Sequence, residues 1–150
     1  MISEENKKLV SLIADDIWNK GKMETADKVM ADNARYYSPH MPNGIGTRKN
    51  WKQAIVMYRN AFPDSHVIYE ELITSNEIVV GRWIATGTHT GKLPGIEQVT
   101  GKRISISGIT IYRFAKGKII EAWEQLDLLG MWKQLGFISL PGSELKGGKK

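Results

Sequence analysis

Helical spacing in this chain stops at Pro63 and does not return until Leu128. Trp51, Ala54, Ile55, Tyr58 and Phe62 fall at 0, 3, 4, 7 and 11, one face of a helix that the proline then ends. Two amphipathic pieces precede it. The first carries Leu9, Leu12, Ile13 and Ile17, with Ser3 as its expected cap and Asn19–Gly21 as its stop. The second spans about Glu24–Ala31, and Ala34–His40 then reads as a short extended segment. Everything from Val67 to Glu124 is strand-like: Val67–Thr74, Ile78–Thr90, Ile104–Phe114 and Lys118–Glu124 are rich in Val, Ile, Thr and aromatics. A short helix, Leu128–Leu135, closes the series at Gly136. Helices segregated from an antiparallel sheet predict an α+β fold. A long curved sheet wrapped on helices makes a cone with a pocket inside. The loop Gly91–Arg103, with three glycines and a proline, is expected as a lid at one end of the sheet.

At 150 residues the chain is one domain, expected over 1–140, with 141–150 as a loose basic tail. That tail alone holds three Lys and one Glu, so +2 of the net +5 lies there. The remaining basic residues are scattered, against nucleic-acid binding. No run of 18 apolar residues exists, against a membrane span. The start, MISEENKK, is too polar for a signal peptide, so a cytoplasmic location is the default expectation. Cysteine is absent, which excludes disulfides, thiolate nucleophiles and cysteine metal sites. His40, His66 and His89 lack ligand spacing, so no metal is expected.

Three stretches carry a family resemblance: Phe62-Pro-Asp64; Arg82-Trp83 running to Gly87-Thr-His-Thr-Gly91; and Gly117 to Asp127 with Gln134-Leu-Gly136. The chain resembles the SnoaL-like polyketide cyclases, often called ester cyclases, within the NTF2-like, cystatin-like cone superfamily. The resemblance spans roughly residues 5 to 137. It implies ring closure by aldol condensation without a cofactor, with a carboxylate on the last strand as acid/base. That position falls on Glu124, where those cyclases carry aspartate. A histidine position one strand earlier falls on Thr110, which cannot titrate near neutrality. The histidine before the long loop is matched by His89. Different chemistry from the antibiotic cyclases is therefore expected.

Strand alternation places Ile120, Ala122 and Glu124 on one face. By the same rule Thr110, Tyr112 and Phe114 share a face, as do Trp83, Ala85, Gly87 and His89. Taken as concave, these faces give a lining of Trp83, His89, Thr110, Tyr112, Phe114 and Glu124, an aromatic wall with few polar groups. Glu124 is the expected proton shuttle, with His89 as a second acid/base group or a carbonyl-orienting one. His40, after Tyr36, is placed to close the pocket from the helix side, and Tyr58 and Phe62 to reach its rim. Asp127 is either an N-cap for the last helix or a second carboxylate. The convex face, with Arg82, Ile84, Ile109, Ile111 and Arg113, is semi-apolar, and a homodimer through the sheet is expected. The leading functional expectation is a small acid/base enzyme acting on a hydrophobic, carbonyl-bearing molecule. The alternatives are a non-catalytic binder of a small hydrophobic or aromatic ligand and an interaction protein on the same cone.

Overall fold

The computed structural model describes residues 2–142. Helix α1 (Ile2–Leu12) runs directly into a π-helical turn, Ile13–Trp18. Ser3 lies inside α1 and does not cap it; its hydroxyl donates to the Asn76 carbonyl at 3.4 Å. Helix α2 (Met23–Val29) is shorter than its apolar pattern predicts, because Met30 and Ala31 already belong to β1 (Met30–Tyr37), where Met30 pairs with Ile119 of the last strand. A 3-10 turn and the two-residue β2 (Ile45–Gly46) lead to α3 (Arg48–Ala61). Thr47 and Asn50 form a reciprocal capping box at its start.

The four long strands follow: β3 (His66–Ser75), β4 (Ile78–Thr88), β5 (Arg103–Ala115) and β6 (Lys118–Leu126). They meander antiparallel, and β1 then joins β6 in parallel, giving one mixed sheet of order β2-β1-β6-β5-β4-β3. The expected α+β cone is observed. The concave face buries Val79, Tyr112, Phe114 and Ala122 against Val10 of α1, Ile13 and Ile17 of the π-helical turn, and Trp51 and Ile55 of α3. Helix α4 (Leu128–Leu135) plugs the far end with Met131 and Leu135.

Inward parity holds on β4 and β5 and is broken once on β6. The register slips between Arg113 and Phe114, so Ile119, not Ile120, is buried. A bulge of one residue switches the side chains before it to the other face and leaves Ala122 and Glu124 facing inward. Sheet glycines make room for rings. A Cβ on Gly108 would lie 2.3 Å from the Trp83 indole, and one on Gly81 would lie 2.5 Å from the Tyr69 ring.

Two side-chain amides finish strands where no neighbour exists. Asn19 bonds both the N–H and the carbonyl of Val67, at 2.7 and 2.8 Å, on the outer edge of β3. Gln134 does the same for Ser105 on β5, beyond the point where β6 ends. The Gln134-Leu-Gly136 motif thus has a physical content: an amide that completes β5, and a left-handed glycine, φ 90°, that ends α4. Among the described residues, no helix is long and apolar enough to cross a membrane. The expected tail lies outside the described residues apart from Pro141 and Gly142.

Candidate active site

The cone encloses a cavity between the sheet, the π-helical turn and α3. About 80 Å³ of it is open to the centre of a water-sized sphere. One water needs roughly 10–15 Å³ on that measure, so a small organic ring or a group of waters fits. Trp83, Tyr69, Tyr112 and Tyr36 form its aromatic walls, and Ile104, Ile106, Leu126 and Met131 its apolar end. Ile13 and Trp18, the two ends of the π-helical turn, also face the cavity. π-Helical turns occur frequently at functional sites.

Glu124 is the carboxylate of this cavity. Its Oε1 accepts the Ser38 hydroxyl at 2.8 Å and its Oε2 the Tyr36 hydroxyl at 2.9 Å. It stands directly opposite Thr110 across the β5–β6 ladder. The Thr110 hydroxyl accepts the Trp83 indole N–H at 3.0 Å. The residue keeps partial exposure because it faces the cavity, but protein surrounds its carboxyl group. Desolvation therefore dominates and pushes the Glu124 pKa up, against the lowering effect of Ser38, Tyr36 and Thr110. Burial, and then the neighbouring Glu124 charge, hold the Tyr36 hydroxyl well above its usual range, so it remains a donor.

Facing this group is a second pair. The Tyr58 hydroxyl and His40 Nδ1 are 2.9 Å apart, with their rings edge-on. Burial lowers His40 to about 4 and raises Tyr58 to about 12. At neutral pH the pair therefore holds two protons, one on each residue, and one of them serves the mutual hydrogen bond. In either tautomer the other proton is free to meet an acceptor in the cavity. The His40 backbone N–H donates to the Ser38 hydroxyl at 3.1 Å, which ties this pair to Glu124.

Of the residues singled out in the sequence, Tyr36, His40, Tyr58, Phe62, Trp83, Tyr112 and Glu124 line one cavity. Thr110 is wholly buried at the back of the wall, between Trp83 and Glu124. The Tyr112 hydroxyl is engaged with that of Tyr69 at 2.6 Å. Phe114 lies deeper, in the core under the helices, and is not part of the lining. His89 is also outside the lining, although it is fully buried. It follows the end of β4, packs against the Phe62 ring at 5.5 Å between centroids, and its Nδ1 receives the Thr100 N–H at 3.2 Å. His89 thus fastens the long loop, and the facing histidine is His40. Asp127 caps α4, its Oδ1 accepting the Gly130 N–H at 2.9 Å. Arg82 points outward and pairs with Glu70 and Glu71. Among the described residues, no cluster of three or more His, Asp or Glu side chains is arranged to hold a metal.

Ser38, Ser65, Tyr69 and Trp18 were missed in the sequence. A signal for Ser38 existed: Ala34, Tyr36, Ser38 and His40 alternate in one extended segment, and the first three are buried.

The sequence model of the SnoaL-like polyketide cyclase family matches residues 8–135. Comparison with the curated proteins gives no match. Among solved structures, a candidate polyketide cyclase from Acidithiobacillus ferrooxidans is 30% identical, with a TM-score of 0.75, covering 90% of this chain and 96% of its own. IdmH from Streptomyces antibioticus is 23% identical, with a TM-score of 0.77, over 87% of this chain and 98% of its own. TsrD from Streptomyces laurentii is 22% identical, with a TM-score of 0.79, over 90% and 97%.

Proposed function

The chain belongs to the SnoaL-like polyketide cyclase family, and from that premise we propose that it is an acid/base enzyme acting on a small, hydrophobic, carbonyl-bearing molecule. The observation that carries the reading is Glu124: a carboxylate inside an aromatic cavity, held in place by Tyr36 and Ser38 and made more basic by desolvation. The Glu124 carboxylate takes the proton from the carbon next to the substrate carbonyl. The free proton of the His40–Tyr58 pair bonds the oxygen on which charge develops. The resulting carbon nucleophile attacks a second carbonyl of the same molecule. A C–C bond forms, and the new alkoxide takes the proton back from Glu124. An isomerisation uses the same shuttle with return of the proton to another carbon. The aromatic walls hold a flat substrate in register with the carboxylate.

Two measurements test this. A carbon-13 NMR titration of Glu124, assigned with Glu124→Gln, is expected to show a midpoint above the ordinary value of 4.5. Exchange of the methyl hydrogens of acetonaphthone with deuterium oxide is expected to be accelerated by the protein. Glu124→Gln is expected to slow that exchange by about 10²-fold or more. A midpoint at or below the ordinary value, with exchange unaffected by the substitution, sinks the reading.

The exposed Ile68, Ile109 and Ile111 on the convex face support pairing of two copies through the sheet. Sedimentation velocity is expected to show a dimer that Ile109→Lys converts to monomer. A wild-type monomer refutes the pairing.

A further inference from the structure

Three large apolar side chains stand together in solvent at the end of the cone that α4 plugs. Leu129 is 53% exposed, Phe137 41% and Ile138 37%. Helix α4 gathers them into one surface. Leu129 and Trp132 are three residues apart on the helix and share a face. Past the glycine that ends α4, the Phe137 N–H donates to the Trp132 carbonyl at 3.0 Å. The Phe137 ring then meets the Trp132 indole edge-on, with 5.8 Å between centroids. A contiguous exposed apolar surface of this kind marks a contact site.

Cations border it. Lys133 is four residues from Leu129, on the same face of α4. A Cβ on Gly136 would lie 2.8 Å from Lys102 Nζ, so that ammonium rests at the end of the helix, next to Phe137. Arg103 is two residues before Ser105, which Gln134 of α4 holds. Among the described residues, neither Lys102 nor Lys133 has a carboxylate partner. The two carboxylates in the neighbourhood are engaged: Asp127 accepts the Gly130 N–H, and Asp64 accepts from Thr88, 4.0 Å from Arg103.

The opposite face of the same helix belongs to the cavity. Met131 lines it, and with Ile104, Ile106 and Leu126 closes its apolar end. One helix, about 10 Å across, therefore separates that end from the exposed surface.

We propose that this surface lays α4 flat on an anionic phospholipid bilayer. Leu129, Trp132 and Phe137 enter the boundary between headgroups and acyl chains, and Lys102, Arg103 and Lys133 meet the lipid phosphates. Charge selects this occupant: an apolar patch rimmed by cations fits a surface that is anionic on top and apolar beneath. Tryptophan favours that boundary. Such a contact lies on the membrane and needs no spanning helix. It brings the apolar end of the cavity against the bilayer, where hydrophobic small molecules collect. The proposal stands on α4 and does not depend on the role given to Glu124.

The test is flotation of the full chain with vesicles of phosphatidylcholine alone and of phosphatidylcholine mixed equally with phosphatidylglycerol. Partition into the anionic vesicles is expected to be about tenfold stronger or more, and to weaken with added salt. Lys133→Gln is expected to lower it about fivefold, the worth of one cation at the surface. Leu129→Ser, which changes no charge, is expected to lower it about tenfold. Both side chains are exposed, so the Tm is expected to stay at the wild-type value. Phe137→Ser repeats the comparison if Leu129→Ser folds poorly. Equal partition into the two vesicles, or none into either, overturns the proposal. So does anionic binding that both serine variants leave unchanged, since charge alone then holds the protein. Sedimentation velocity without vesicles covers the other occupant: an oligomer lost in Leu129→Ser assigns this face to a second copy of the chain and overturns docking on lipid.

Discussion

Protonating His40 should destabilise this protein by an amount that can be worked out. The ring is packed against Tyr58 inside the cavity, and burial moves its pKa from 6.5 to about 4. In the unfolded chain the imidazole takes up its proton near 6.5; in the folded protein it resists until about 4. The unfolded state therefore binds more protons throughout that window. Stability is fully present above pH 6.5 and is lost as the pH falls toward 4. The 2.5-unit gap, at about 1.4 kcal/mol per unit, corresponds to about 3 kcal/mol. That is an upper figure, because the ring keeps some solvent contact. The perturbation is His40→Asn, which does not titrate and leaves an amide near Nδ1 for Tyr58. The assay is urea unfolding of both proteins from pH 8 to pH 4, followed by far-UV circular dichroism. The wild type should lose up to about 3 kcal/mol relative to the variant across the window. Parallel profiles would refute the reasoning, and so would a loss confined above pH 6.5. His40→Gln repeats the comparison if the asparagine variant folds poorly.

Ser38→Ala removes a donor to Glu124 and the acceptor of the His40 N–H. Because that donor lowers the Glu124 pKa, the carbon-13 midpoint should move further up, with a cost of about 1–2 kcal/mol in stability. An unmoved midpoint would mean that the hydroxyl does not hold the carboxylate. Gly108→Ala places a methyl where the Trp83 indole lies. It should cost about 1–3 kcal/mol and shift the tryptophan emission; wild-type stability in urea would show that the ring does not rest on the sheet there.

Much of this architecture is legible in the residues themselves. The spacing of Trp51, Ile55 and Tyr58 and the alternation along Ile104–Phe114 correspond to α3 and β5, because each pattern repeats over enough turns or residues to leave one reading. The inward setting of Trp83, Tyr112 and Glu124 follows from the same alternation. What was not legible depends on contacts distant in sequence. The bulge that buries Ile119 in place of Ile120 arises from pairing with β5, and nothing local announces it. The π-helical turn has the same apolar spacing as an ordinary helix. Alternation does set His89 inward: it is buried against Phe62, the ring that Gly87 also faces, and its backbone still bonds across to Lys102 and Gly101. What alternation does not give is how far along the cone the cavity extends, and His89 lies outside its lining. Ser38 is different: it falls in a segment that reads as extended, but only the parallel pairing of β1 with β6, partners distant in sequence, brings it to Glu124.

That parallel pairing also sets an order of events during synthesis. Tyr36 and Ser38 precede their carboxylate partner by 88 and 86 positions. A chain leaving the ribosome amino end first carries its aromatic wall and its donor hydroxyls long before Glu124 emerges. Until then the outer edge of β5 is unpaired, and β1 has only the two-residue β2 as a neighbour. Contacts this far apart close slowly, and an exposed strand edge in the interim invites pairing with other chains. The last strand is therefore at once the lock of the sheet and the carrier of the cavity's carboxylate. A nascent or truncated chain that has not closed its sheet has donor hydroxyls with no carboxylate to meet.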